Sequence, residues 1–330
     1  MSPSETGGST ATATAPVRDR TRGIVLLVLS SLCFGSSGPL GKPAMTAGLS
    51  PEQVAVARIG IAAVVLLVVV GLTRPGLLRV RHGQWRVLLG YGLLGVAGVQ
   101  LFYFLSAARV PVGIAILLEF TSPVLVALWV RFVRRVRLPW PMWLGIVLAL
   151  VGLALVARVH EGLTLDAIGL AAGIATAVCS ASYFLLGEHG VASHHPLGMV
   201  TWGMVVGAVA VCVVAPPWTL PVSILLEPAE LGPWRPPVWS LLLTVAVVST
   251  VLAYLAGITA LRHLPASTAS VLALLEPLVA TSMAWVLLDE ALGWVQVLGA
   301  VVLLGGALLV QLTAPSAQGG PDGAAEPRTP

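Results

Sequence analysis

Residues 110–128 read Val-Pro-Val-Gly-Ile-Ala-Ile-Leu-Leu-Glu-Phe-Thr-Ser-Pro-Val-Leu-Val-Ala-Leu. An apolar run of this length predicts a membrane-spanning helix. Two of its residues do not suit lipid. Glu119, near the middle, is an ionisable group whose insertion costs roughly 2.5 kcal/mol or more, which makes it a functional-site candidate. Pro123 has no N–H and leaves the carbonyl of Glu119, four residues back, without its helical donor. That carbonyl needs a partner from another helix, a side chain or water. The face through Pro111, Ala115, Glu119 and Ser122 is small and polar, and is expected to meet a cavity or another helix.

Composition extends this reading to the whole chain. Charged residues make up 10% and hydrophobic residues 57%, where a soluble domain carries about 25% charge. The expected fold class is all-α integral membrane. The net charge of +4 gives no case for nucleic acid. Cys33, Cys179 and Cys212 all fall inside apolar runs and read as buried small side chains, neither a disulfide framework nor a metal site. No cofactor is expected. Gly35-Ser-Ser-Gly-Pro-Leu-Gly-Lys-Pro43 approaches a phosphate-binding loop but carries Ser36 and Pro43 where that loop needs Gly and Ser or Thr, and no strand precedes it.

Apolar runs fall at 23–41, 53–72, 85–107, 111–132 and 139–157, then at 168–187, 197–215, 237–260, 265–288 and 293–312. These predict ten transmembrane helices as two five-helix repeats, residues 23–157 and 168–312, between disordered tails at 1–22 and 313–330. Arginines set the expected orientation. Arg74, Arg79, Arg81 and Arg86 share one side with Arg131, Arg134, Arg135, Arg137 and Arg262, while the other side has only Lys42, Arg109, Arg158 and Arg235. The termini are therefore expected in the cytoplasm, and the protein in the plasma membrane. Trp85, Trp140, Trp143, Trp239 and Trp294 stand at span ends, as an aromatic belt would.

The halves match each other. Pro111 and Pro123 are spaced as Pro265 and Pro277 are; Gly145 and Gly152 match Gly299 and Gly306; Tyr103 matches Tyr254. An odd number of spans per half inserts the halves in opposite orientations. Inverted repeats with helices interrupted at matching places point to a secondary transporter whose site lies near the midplane. Glu276, beside Pro277, is the second acid expected there. Gln100, Tyr103, Tyr183 and Tyr254 are candidates to line the cavity, Ser122 to touch substrate or proton, and Pro123 and Pro277 to kink their helices. Arg58 either snorkels to the interface or pairs with Glu119 or with a substrate carboxylate. Asp289 and Glu290 suit the N-terminus of the tenth helix, and His189, His194 and His195 a solvated loop. No His-Glu-x-x-His or nucleophile motif stands in the spans, which argues against a membrane enzyme. The repeat and the acids argue against a scaffold.

These features resemble the EamA family of the drug/metabolite transporter superfamily, over nearly all of residues 23–312. Leu275-Glu276-Pro277, then Leu287-Leu288-Asp289-Glu290, then Gln296, Gly299 and Gly306 are similar to that family's usual ending, and residues 110–123 to its threonine/homoserine exporter branch. Arg58, in Val-Ala-Arg-Ile-Gly, fits the family's second span. Arg135-Val136 replaces an acid usual after the fourth span, and Ala253-Tyr-Leu-Ala-Gly257 lacks polar residues expected in the eighth. The resemblance implies an exporter of amino acids or related small metabolites working by alternating access; a proton-coupled form would use Glu119 or Glu276 as the titrating group.

Overall fold

The computed structural model describes residues 19–80, 82–110, 112–156, 166–288 and 293–313. Pro111, Arg158, Asp289, Glu290 and the two expected tails up to 18 and from 314 lie outside them. The described residues form the helices α1 (Arg20–Gly35), α2 (Ser37–Thr46), α3 (Pro51–Thr73), α4 (Trp85–Gly90), α5 (Val99–Ala107), α6 (Val112–Glu119), α7 (Ser122–Phe132) and α8 (Trp140–Val156) in the first half. The second half holds α9 (Ala167–Val191), α10 (Pro196–Val214), α11 (Val238–Ala246), α12 (Ala253–Ala260), α13 (Ala266–Leu272), α14 (Leu275–Leu288) and α15 (Trp294–Thr313). Eight helical segments are long and apolar enough to cross a membrane, and Trp140–Val156 and Trp294–Val310 are shorter apolar helices.

The flanks are apolar. Val25, Leu72, Val147, Ile174, Val209 and Val301 are all exposed. In water such a surface would be an association liability; in a bilayer it is the face presented to acyl chains. The small residues point inward instead, with Ala44, Ala62, Ala115, Ala149 and Ala260 fully buried. Close backbone packing takes the place of hydrophobic collapse, since lipid is as apolar as leucine.

Several helices are interrupted, and the breaks in the third and fourth runs have counterparts in the eighth and ninth. The fourth apolar run breaks at 120–121, where the Thr121 hydroxyl donates to the Leu118 carbonyl at 2.6 Å and Val124 N–H restarts the helix on Thr121 O at 2.9 Å. The ninth breaks at 273–274. There the Ala273 carbonyl, which Pro277 cannot serve, accepts instead from Glu276 N–H at 3.0 Å. The third and eighth runs contain π-helical turns at Tyr91–Gly98 and Val247–Leu252. The first run, expected to be continuous over 23–41, divides at Ser36, whose hydroxyl donates to Cys33 O at 2.6 Å and meets the Ser249 hydroxyl at 2.7 Å. It also extends further than expected, to Thr46.

The tightest seam joins α8 to α15. A Cβ built at Gly145 would sit 2.8 Å from the Gly306 carbonyl oxygen, and one at Gly306 would sit 2.6 Å from the Gly145 carbonyl oxygen. The second pair repeats this, Gly152 facing Gly299 O at 2.6 Å and Gly299 facing Gly152 O at 2.8 Å. The four glycines matched between the halves thus face one another across an antiparallel pair.

Candidate functional site

A cavity of about 1160 Å³ enters the helix bundle between the two halves. It reaches the end of α2 at Lys42 and Met45, the start of α3 at Pro51 and Glu52, the end of α5 at Ala107 and Ala108, Val156 on α8 and Gln296 on α15. All of these are helix ends on one face. On its walls stand Arg58 from α3, Gln100 and Tyr103 from α5, Glu119 from the last turn of α6, and Glu276 and Pro277 from the first turn of α14. Tyr254 and Tyr183 line it from α12 and α9. The interrupted helices thus bring the acids to the cavity from opposite halves, Glu119 just before one break and Glu276 just after the other. Gly35 of α1 allows the close approach at α14, since a Cβ there would lie 2.7 Å from the Glu276 carbonyl oxygen.

Ser122 is 1% exposed and does not line the cavity; its hydroxyl accepts a 3.1 Å hydrogen bond from Ser180, which does line it. Pro123, expected to kink its helix, is buried in the first turn of α7, directly after the turn at Phe120 and Thr121. The reason Ser122 is off the wall is the break itself: turning at Phe120 and Thr121 rotates α7 away from the direction that unbroken helical spacing would give. Ala115 is buried in a cluster with Val110 and Ile114, so this part of the face meets other helices.

Arg58 lies within electrostatic reach of Tyr254, Glu276 and Glu119. None of the ion pairs formed by the described residues joins it to either acid. Its Nε is buried with no hydrogen-bond partner among those residues. A guanidinium N–H left unpaired in a low-dielectric site is costly.

The closed end of the cavity is aromatic, a feature only partly foreseen through Tyr183 and Tyr254. Phe34 meets Tyr254 edge-on with ring centroids 4.9 Å apart, Tyr254 meets Tyr183 at 5.7 Å, and Tyr183 meets Phe184 at 5.0 Å. The fully buried Tyr91 lies behind, 5.7 Å from Tyr183. Glycines seat this layer. A Cβ at Gly257 would be 2.7 Å from the Tyr183 hydroxyl, and one at Gly95 would be 3.2 Å from Tyr183 Cα. Beyond it, on the face opposite the cavity mouth, Arg134 after α7 pairs with Glu188 near the end of α9. Arg262 donates to the His194 carbonyl at 3.2 Å on the same face. His195 there caps α10, its Nδ1 accepting from Leu197 N–H at 3.2 Å. The half-to-half pair of Arg134 and Glu188 is not visible in the sequence, because its members are 54 residues apart.

Relatives of the chain by sequence carry transporter names. The chain is 31% identical to the threonine/homoserine exporter RhtA of Escherichia coli (strain K12) over 239 residues, covering 72% of this chain and 75% of that one. With the exporter of the same name from Salmonella typhimurium (strain LT2) it shares 29% over 291 residues, 88% and 90% of the two chains. With an uncharacterized transporter of Bacillus subtilis (strain 168), YyaM, it shares 29% over 293 residues, 86% and 92%. A solved crystal structure shares the fold, with a TM-score of 0.70 at 18% identity over 89% of this chain and 97% of that one. The model of the EamA-like transporter family matches residues 21–158 and again 167–312, so the chain belongs to that family and carries its unit twice.

Proposed function

We propose that the chain is a ten-helix secondary exporter of amino acids or related small metabolites, working by alternating access and driven by protons. The observation that supports this most directly is the cavity of about 1160 Å³ lined by Glu119, Glu276 and Arg58 where the interrupted helices of the two halves meet. In that reading α8 and α15 are the fifth and tenth spans. The cavity faces outside, the aromatic layer with the Arg134–Glu188 pair closes the inner side, and rocking of the halves exchanges the two. One of the two carboxylates carries the proton. The relatives named as threonine/homoserine exporters make threonine the first substrate to try.

Purified protein in liposomes tests this. Vesicles loaded with unlabelled threonine are expected to take up labelled threonine by counterflow, and an outward-directed proton gradient reversed in sign is expected to reverse net flux. Absence of counterflow for threonine and for a panel of other amino acids would sink the assignment.

Orientation is tested separately by reporter fusions. Fusions after residues 80 and 135 are expected to read cytoplasmic, and those after 47 and 225 external, as the arginine distribution requires. A fusion after 225 reading cytoplasmic would give the halves equal orientation and exclude an inverted repeat.

A further inference from the structure

Arg58 lines the cavity together with the two acids, and its Nε, like the Tyr183 hydroxyl, is buried there without a hydrogen-bond partner among the described residues. A guanidinium presents Nε–H and one Nη–H along a single edge, a fork matched to the two oxygens of a carboxylate. If Arg58 served only to neutralise Glu119 or Glu276, that edge would be occupied by one of them. It is within electrostatic reach of both, yet no ion pair joins it to either among the described residues. The acids are therefore left as acceptors for a positive group, and the arginine as donor to a negative one.

We propose that Arg58 is the specificity-determining residue that reads a carboxylate on the transported molecule. This rests on the transporter reading above and goes further, by assigning the polarity of the bound substrate. The carboxylate sits against the Arg58 guanidinium where it lines the cavity, and the ammonium lies toward Glu119 and Glu276. A cationic amine without a carboxylate leaves the Arg58 edge unpaired and is rejected. An anion without an ammonium meets two acids with nothing to offset them. Sites built to hydrogen-bond a group discriminate strongly against analogues that lack it, because the protein's own buried polar atoms then go unpaired.

The test uses the full chain in liposomes with three labelled probes: threonine, threoninamide, which lacks the carboxylate, and N-acetylthreonine, which lacks the ammonium. The parent protein is expected to exchange threonine about a hundredfold faster than either analogue. Arg58→Gln is expected to lose that preference, bringing threonine down to the rate of threoninamide, and Arg58→Lys, which keeps the charge but not the fork, to recover only part of it. Comparing the three probes on the parent needs no variant to fold. Threoninamide exchanged as fast as threonine by the parent would overturn the carboxylate role while leaving the transporter reading standing. Failure of all three probes and of every other carboxylate-bearing amine would overturn both. A folded Arg58→Gln protein that keeps the full preference would show that another group reads the carboxylate.

Discussion

Glu119→Gln is expected to keep threonine counterflow and lose accumulation driven by a pH gradient. The glutamine keeps the size and most of the hydrogen bonding of the acid but cannot take up or release a proton. Exchange of substrate for substrate needs no net proton movement, whereas accumulation against a gradient does. One proton per substrate and one pH unit correspond to about 1.4 kcal/mol, or about tenfold accumulation. The parent should approach that ratio and Glu119→Gln should remain near unity. Glu276→Gln is the necessary comparison, since both acids line the cavity and both lie within reach of Arg58. Loss of driven transport in Glu276→Gln alone would move the proton to Glu276. Full driven transport in both variants would exclude coupling through either acid.

The second large effect is expected at the α8–α15 seam. Leucine at Gly152 or Gly306 would place its side chain against the backbone of the facing helix, at Gly299 and Leu303 or at Gly145 and Ala149. Backbone cannot step aside as a flexible side chain can, and overpacking of an ordinary core already costs about 1–3 kcal/mol. Each variant should lower the yield of folded protein and its melting temperature in detergent. Gly305→Leu is the control, because nothing lies within 4 Å of a Cβ at that neighbouring position. If Gly152→Leu and Gly306→Leu melt with the parent while remaining monodisperse, the glycines do not set the helix approach.

Features that depend on local composition were readable before the structure. Long apolar runs announce helices wherever lipid is the solvent, because no other backbone arrangement satisfies its own hydrogen bonds there. Pro277 announces its break because a missing N–H is a property of the residue itself, and the glycine spacing announces a seam because seven residues return to one helix face. Pro39, four residues after Gly35, carried the same signal for the break in the first run and went unread. What depends on distant neighbours was not readable. The π-helical turn at Tyr91–Gly98 coincides with glycines against which Tyr183 and Cys179 pack. That Ser122 stands behind Ser180 and off the cavity wall was not readable either, because helical spacing does not carry through the turn at 120–121. The free edge of Arg58 is equally invisible in sequence, where snorkelling, pairing and ligand binding look alike.

The aromatic layer has a consequence for voltage. A membrane potential does not fall evenly through a body that is hollow on one side. Water in the cavity carries the potential of its own compartment inward to Tyr254 and Tyr183, so the field is concentrated across that layer and the closed helix ends behind it. One elementary charge moved through the whole drop does electrical work of about 2.3 kcal/mol per 100 mV. In the cycle proposed above, a zwitterionic substrate feels no net pull in passing this layer, and voltage acts on the coupled proton and on the charged side chains that move with the halves.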